Sequence, residues 1–383
     1  MNTSSFPLVL LEWFQQNGRE LPWRETRDPY AVWLSEIILQ QTRVEQGRPY
    51  WERFMARWPK VEDLAAASED EVMRQWQGLG YYSRARNLHF AAKQIVALGH
   101  FPDTYEEIRK LKGVGDYTAA AVASIAFGIP VAVVDGNVYR VLSRYFGIST
   151  PINTTEGKKE FAALAQAQLN TLIPNKEFRA QNNSLSSLLS PLSSKISPLS
   201  SKSGNSLSSL LSPLSSKFSP LSSKYNQSIM DFGAIQCTPK SPDCVVCPLV
   251  DSCEALRSGR VEQLPVKLKT LKIRERHFTY IYIRCKGKIA IHRRGAGDIW
   301  QGLWEPLLVE GDGREMLPDG LQLVRKNVRH VLTHQVLLTD FYLKETDERP
   351  TLSDDYIWIE EAEFDDYAKP RLVEILLESL SAG

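Results

Sequence analysis

Four of the chain's five cysteines fall in one short stretch: Cys237, Cys244, Cys247 and Cys253, spaced C-x6-C-x2-C-x5-C. No other feature of the sequence restricts the fold as strongly. Four thiolates this close along a chain converge on one small inorganic centre with little loop-closure entropy. A secreted disulfide scaffold would be shorter than 383 residues and would spread its cysteines along the chain. The group therefore reads as a metal or cluster site in a reducing compartment. Structural zinc usually takes two C-x2-C pairs, and this stretch has one. A [4Fe–4S] cluster is the expected occupant, with zinc as the alternative. The fifth cysteine, Cys285, sits in a strand-like run and reads as a core or edge residue.

A chain of 383 residues is too long for one ordinary core, so two domains are expected. Hydrophobic residues at 43% and charged residues at 24% describe a globular protein. No run approaches the ~18 apolar residues of a membrane helix. The start, Met1 to Pro7, has neither a basic region nor a long apolar one, so no signal peptide is expected. The net charge of +1 neither marks nor excludes a nucleic-acid partner, which would have to be met by local clustering.

Residues 1 to about 180 repeat apolar side chains at three- and four-residue spacing, as in Val32-Trp33-Ile37-Ile38, between short Gly- and Pro-marked turns. Residues 181–224 differ: Asn183 to Lys195 recurs as Asn205 to Lys217, shifted by 22 residues and built almost wholly of Ser, Leu, Pro and Lys. Two copies cannot build a stacked core, so a disordered insertion whose removal spares the fold is expected. Residues 256–276 carry Lys267, Lys269, Lys272, Arg274 and Arg276 and read as a basic linker, either a solvated connector or a strap along a phosphate backbone. From His277 the period changes to two, with strands around Phe278–Ile283, Lys288–Arg293, Val336–Leu343 and Tyr356–Ile359. A helix from Lys369 to Leu380 follows. The expected fold is mainly α over 1–255, with the cysteine loop at 237–253, plus a smaller α+β domain over 277–383.

Three local patterns carry chemistry. Leu111 to Val122 reads as a hairpin and an Ala-rich helix, in which Gly113 and Gly115 let backbone amides approach a phosphate. Alone, Gly-Val-Gly is often only a turn. Glu36 lies on the apolar helix Tyr30 to Gln41, where a carboxylate should have a raised pKa and serve as a general acid; a surface glutamate is the rival reading. Asp135 follows Val131-Ala-Val-Val and precedes Gly136-Asn137, and its rival reading is a plain helix N-cap.

Taken together, the segments Leu21-Pro-Trp-Arg24, Leu34-Ser-Glu-Ile-Ile-Leu-Gln-Gln-Thr42, Gly78-Leu-Gly-Tyr-Tyr-Ser-Arg-Ala-Arg-Asn-Leu88, Val114-Gly-Asp-Tyr-Thr118, Val133-Val-Asp-Gly-Asn-Val138 and Asn226-Gln-Ser-Ile-Met-Asp-Phe-Gly233 resemble the helix-hairpin-helix DNA glycosylases. Within them the MutY-type adenine DNA glycosylases match best, in order and over nearly all of 1–255 outside the insertion. The resemblance implies base-excision removal of adenine opposite 8-oxoguanine or guanine in double-stranded DNA, by flipping the base and hydrolysing its N-glycosidic bond. It implies Glu36 as the acid that protonates adenine N7 and Asp135 as the counter-charge to the oxocarbenium-like sugar. Arg24 and Gln227 match pocket residues near the base, and Asn137 matches a residue beside the catalytic Asp. Gln41, Thr42, Leu79 and Tyr81 match DNA contacts, the wedge being Gln41, Leu79 and Tyr81. Tyr117 stands where strand-cutting relatives place a Schiff-base lysine, which implies a monofunctional enzyme that leaves an abasic site. The family also implies the [4Fe–4S] cluster on the four cysteines.

The C-terminal part resembles the MutT-like (Nudix-like) domain of the same family through Trp300-Gln-Gly-Leu-Trp-Glu305 and Val331-Leu-Thr-His334. The hydrolase signature of true Nudix enzymes is absent, so the implied role is reading 8-oxoguanine, through Thr333 and His334. Leu332 departs from the usual Phe, and Lys112 from the usual Pro. A monomer beside the bacterial chromosome, in the cytoplasm and away from membranes, is expected. The competing readings are an endonuclease III-like glycosylase/lyase, a non-catalytic DNA-binding protein with a structural cluster, and a copy inactivated by the repeat.

Overall fold

The computed structural model describes residues 6–173, 220–268, 273–311 and 319–382. The N-terminal part is helical throughout: α1 Phe6–Asn17, α2 Pro29–Leu39, α3 Val44–Arg57, α4 Val61–Ala66, α5 Glu69–Trp76, α6 Ser83–Leu98, α7 Tyr105–Ile108, α8 Asp116–Ala126, α9 Gly136–Phe146 and α10 Thr155–Leu172. Local chemistry sets several ends. Ser68 and Glu71 close a reciprocal cap on α5. Gly147, at φ +69°, ends α9 in the left-handed conformation that glycine adopts cheaply. The next helices are α11 Leu221–Asp231, which runs into a π-helical turn at Phe232–Gln236, and α12 Glu254–Arg257. Among the described residues no helix is long and apolar enough to cross a membrane.

The C-terminal part holds β1 Arg274–Cys285, β2 Lys288–Arg293, β3 Trp304–Glu305, β4 Leu307–Glu310, β5 Gln322–Val331, β6 Gln335–Thr346, β7 Tyr356–Glu360 and α13 Arg371–Ser381. The strands form one sheet in the order β3-β2-β1-β6-β5, with β4 also paired to β1 and β7 to β2. β1 and β6 run parallel over twelve residue pairs, from Arg274↔Gln335 to Cys285↔Thr346. β1 is covered on both faces: Phe278, Tyr280 and Tyr282 enter one cluster with Leu372 and Leu376 of α13, while Ile281 and Ile283 enter a second. That is why both alternating sets of its residues are apolar.

By Cα proximity the chain divides into two units, Met1–Ile37 with Leu98–Lys269, and Ile38–Ala97 with Thr270–Gly383. The division does not follow chain order. The second unit groups α3–α6 with the sheet, and polar contacts join the two within it. Gln77 donates to Glu374 and accepts from the Lys369 amide, Arg86 donates to the Gln301 carbonyl, and Arg293 pairs with Glu69.

Two readings need correction. The repeat does not stay loose to Lys224: Pro220 caps α11 and Leu221–Lys224 form its first turn. Ser222 and Ser223 are buried there, and Ser222 donates to the Gly128 carbonyl at 3.1 Å. Deleting 181–224 would therefore remove a docked helical turn; residues 181–219 lie outside the described residues. The basic linker also ends early, because Arg274 and Arg276 belong to β1. Arg276 is buried, and its guanidinium bonds Asp298, Glu310 and Gln335, so it is no phosphate contact. Lys269 and Lys272 lie outside the described residues.

Candidate active site and cysteine loop

The first unit brings together three residues far apart in sequence. Glu36 is only 8% exposed on α2. Tyr117 on α8 donates its O–H to Glu36 Oε2 at 2.7 Å and lies 3.6 Å from the Met230 sulfur. Burial pushes the Glu36 carboxyl up to about 7; the Asp135 charge adds to this, while the Tyr117 hydrogen bond and the Arg24 charge oppose it. Burial and the Glu36 charge hold the Tyr117 phenol well above its ordinary range. The buried reading of Glu36 thus prevails over the surface one.

Asp135 combines both readings made of it. It caps α9, its Oδ1 accepting the Val138 amide at 2.8 Å, and its Oδ2 accepts Asn137 Nδ2 at 2.8 Å. Burial raises its carboxyl above the ordinary value, and those donors, with the Arg140 charge, restrain the rise. Two carboxylates of one site therefore differ: Glu36 has one phenolic donor, and Asp135 has a set of donors that favours its anion.

Arg24, in a 3-10 turn at Pro22–Arg24, forms a two-pronged pair with Asp231, Nη1 to Oδ2 and Nη2 to Oδ1, both at 2.8 Å. Arg19 adds its backbone N–H at 2.9 Å and two guanidinium contacts to the same carboxylate. Asp231 is fully buried. Burial raises its carboxyl, yet the two guanidinium groups hold it below the usual range. Sequence reasoning gave Asp231 no role, although it is the acid of the Asn226-to-Gly233 segment; its partners lie more than two hundred residues away. Gln227 is buried, with Nε2 donating to Ser223 Oγ at 2.9 Å. In the hairpin, Gly113 has φ +78°, which favours glycine. Gly115, at φ −97° and with no atom near a would-be Cβ, starts α8 in a conformation open to other residues.

Cys237, Cys244, Cys247 and Cys253 line one cavity beneath Arg144. Arg144 donates to Cys237 Sγ at 3.4 Å and to the carbonyls of Thr238, Pro239, Val261 and Leu264. Arg140 donates to the carbonyls of Cys237 and Gly233 and to Asn137 Oδ1. Both arginines lie on α9, the helix that Asp135 caps. Burial pushes the Cys247 thiol up to about 11. Among the described residues no three His, Cys, Asp or Glu side chains are grouped to hold a single ion. Four thiols around one cavity, with a guanidinium donating to a sulfur, fit a thiolate-bound cluster.

The second unit holds the wedge candidates. Gln41 (φ +56°) and Tyr81 (φ +47°) adopt left-handed backbones in two turns, and α2 stops at Leu39 rather than at the expected Gln41. Buried Arg84 joins those turns: it donates to the carbonyls of Ile38, Gln40, Leu79 and Gly80 and to Thr42 Oγ1. Sequence reasoning quoted Arg84 in a motif without giving it this role. Leu79 is buried, whereas Tyr81 is 44% exposed, and its hydroxyl hydrogen-bonds Thr333 Oγ1. Thr333 and His334 are exposed at the β5–β6 turn. A cavity of about 450 Å³ lies there, lined by Tyr81, Tyr82, Trp300, Leu332, Thr333 and His334 among others. Leu332 is half-buried and packs against the sheet core.

Comparison with known proteins gives this geometry a family. Residues 34–167 match the model of the HhH-GPD superfamily base excision DNA repair proteins, and residues 279–379 match the NUDIX domain. The adenine DNA glycosylase of Buchnera aphidicola subsp. Schizaphis graminum is 31% identical over 302 residues, covering 78% of this chain and 73% of that protein. The chain belongs to the adenine DNA glycosylase family. It is a DNA glycosylase of base excision repair, hydrolysing the N-glycosidic bond of adenine. The human adenine DNA glycosylase is 36% identical over 272 residues, and the match spans 68% of this chain but only 41% of the human protein. Among solved structures, a thermostable thymine-DNA glycosylase aligns at a TM-score of 0.50 and 26% identity, over 67% of this chain and 97% of that one. The fold of this glycosylase is thus mainly helical with a Nudix-like sheet domain.

Proposed function

We propose that the enzyme removes adenine mispaired with 8-oxoguanine or guanine and leaves an abasic site. The observation that carries this is the Glu36–Tyr117–Asp135 arrangement, one buried carboxyl near 7 beside another supplied with donors. With its carboxyl near 7, Glu36 is about half protonated at neutral pH, and the protonated form gives its proton to adenine N7 of the flipped nucleotide. The C1′–N9 bond then breaks, with its electron pair leaving on adenine. Asp135, ionised, faces the positive sugar; water adds to C1′ and loses a proton. Tyr117 holds the Glu36 carboxyl in place. Its phenol forms no Schiff base, so the strand stays uncut. Arg24, held by Asp231, and Gln227 bound the base, and Asn137 orients Asp135.

On the same reading Gln41, Thr42, Leu79 and Tyr81 enter the duplex, Gly113 and Gly115 offer amides to a phosphate, and Thr333 and His334 read 8-oxoguanine. Residues 1–255 work as the glycosylase domain and 277–383 as the reader. Cys237, Cys244, Cys247 and Cys253 would hold a [4Fe–4S] cluster, which when bound supplies a cross-link that stiffens this loop beside α9. The protein acts as a monomer on the bacterial chromosome, in the cytoplasm.

The test is single-turnover release of adenine from a duplex with one A·8-oxoguanine pair. Release by the parent, loss in Glu36→Gln, and no borohydride-trapped covalent adduct are expected. Release that persists in Glu36→Gln, or an efficient trapped adduct, would overturn the assignment. A brown protein with iron and sulfide in equal amounts is expected; stoichiometric zinc in a colourless one would replace the cluster.

A further inference from the structure

Strand β5 is the edge of the sheet and departs from strand geometry in an informative way. In a regular strand neighbouring side chains face opposite sides. Here Arg325, Lys326 and Asn327 are consecutive and all exposed. The pairing with β6 slips twice, between Leu323 and Arg325 and between Arg325 and Val328. Asn327 is left-handed at φ +57°, and its amide donates to Asp340 Oδ1 at 2.8 Å. The slips keep Val324 and Val328 against the core and leave Arg325, Lys326 and Arg329 exposed, with Arg325 Nη1 donating to Ser379 Oγ of α13 at 3.5 Å. Bulges of this kind re-aim side chains at functional edges.

The charge along this edge is one-sided. From Leu321 to Thr339 there is no Asp or Glu, in a chain whose net charge is +1. Among the described residues no carboxylate pairs with Arg325, Lys326 or Arg329, nor with exposed Arg274, whose amide bonds the His334 carbonyl. The nearby acids have partners or are buried: Asp298 and Glu310 pair with Arg276, Glu374 and Glu378 of α13 pair with Arg371, Glu275 lies beside His277, and Asp340 is buried. This row leads directly to the turn that carries Thr333 and His334. At ~3.3 Å per residue, Arg325 to Arg329 spans at most roughly 13 Å, comparable with about three successive phosphates along one strand's backbone.

We propose that the bulged edge of β5, Arg325, Lys326 and Arg329, is a phosphate track that holds the backbone of the strand opposite the adenine. It rests on the reading that the β5–β6 turn meets the opposite base. The alternative is that the charges only keep the exposed edge from pairing with another sheet.

The test uses the full chain with Arg325→Gln, Lys326→Gln and Arg329→Gln combined. Affinity is measured by fluorescence anisotropy over a range of salt. One duplex is undamaged; the other pairs 8-oxoguanine with a non-hydrolysable 2′-fluoroadenosine. Each phosphate contact contributes about 0.9 to the slope of log affinity against log salt, so the triple variant should lose about 2–3. The loss should be equal on both duplexes, and single-turnover release at saturating enzyme should stay within about twofold. An unchanged slope overturns the proposal, including when the variant merely aggregates. If the triple variant does not fold, Arg329→Gln alone should lose about 0.9, and no loss there overturns it too. Thr333→Ala serves as the converse, lowering the preference for the lesion duplex with the slope intact. If that preference does not change while the triple variant loses slope, the base-reading assignment fails and the track stands.

Discussion

Replacing Glu36 by Gln keeps the side chain's shape and removes its charge. Burial displaces the Glu36 carboxyl from 4.5 to about 7. At ~1.4 kcal/mol per unit, ionising it in the folded protein costs about 3 kcal/mol. Because the folded value is raised, this group's contribution to stability is fully present below pH 4.5, declines as pH rises, and is gone once pH passes about 7. Gln stays neutral throughout and can accept the Tyr117 O–H through its amide oxygen. The variant and the parent should therefore melt together at acid pH. Between there and pH ~8 the variant should gain up to about 3 kcal/mol over the parent. At roughly 2–4 °C per kcal/mol, the gap in melting temperature is on the order of 5–10 °C. Calorimetric scans of both proteins across this pH range measure it directly. The same variant should release no adenine, so stability and activity move in opposite directions. A gap that is flat with pH, or one that widens towards acid, would refute the raised carboxyl.

Other perturbations test neighbouring parts of the site. Tyr117→Phe removes the hydrogen bond that lowers the Glu36 carboxyl, so the alkaline limb of single-turnover adenine release should move up by about one pH unit; a limb that stays or moves down contradicts this. Asp135→Asn removes the counter-charge and keeps a good N-cap, so the release rate should fall about 10²–10³-fold with little change in melting temperature. A large drop in melting temperature would assign Asp135 a structural role instead. Arg84→Met leaves the carbonyls of Ile38, Gln40 and Leu79 without their side-chain donor, Gly80 keeping Trp76 Nε1, and should cost about 3 kcal/mol or more in urea denaturation; a neutral result would mean the two turns hold themselves.

The parts legible in the sequence were those whose signal is local. The helices from Phe6 to Leu172 follow apolar spacing, β1 and β6 are runs of β-branched and aromatic residues, and the cysteines announce themselves by spacing alone. Glu36, Asp135 and Tyr117 were singled out because each sits inside a recognisable segment, and the structure sets Tyr117 against Glu36. β5 was not found: an edge strand rich in Arg and Lys, with two slips in register, lacks the alternation that marks a strand. The same bulges explain why three consecutive residues, Arg325, Lys326 and Asn327, are all exposed where alternation would bury one.

What the sequence determined by itself was therefore the set of elements and the chemistry available to them. Only the tertiary structure decided which groups meet. It set Tyr117 against Glu36 across 81 residues, closed Arg19 and Arg24 on Asp231 across 212 and 207, and sank Arg276 of the supposed linker among Asp298, Glu310 and Gln335. Periodicity records which side of an element faces inward, but not what it will face. The raised Glu36 carboxyl and the restrained Asp135 one come from burial and from donors on other segments, and those exist only once the chain has closed on itself.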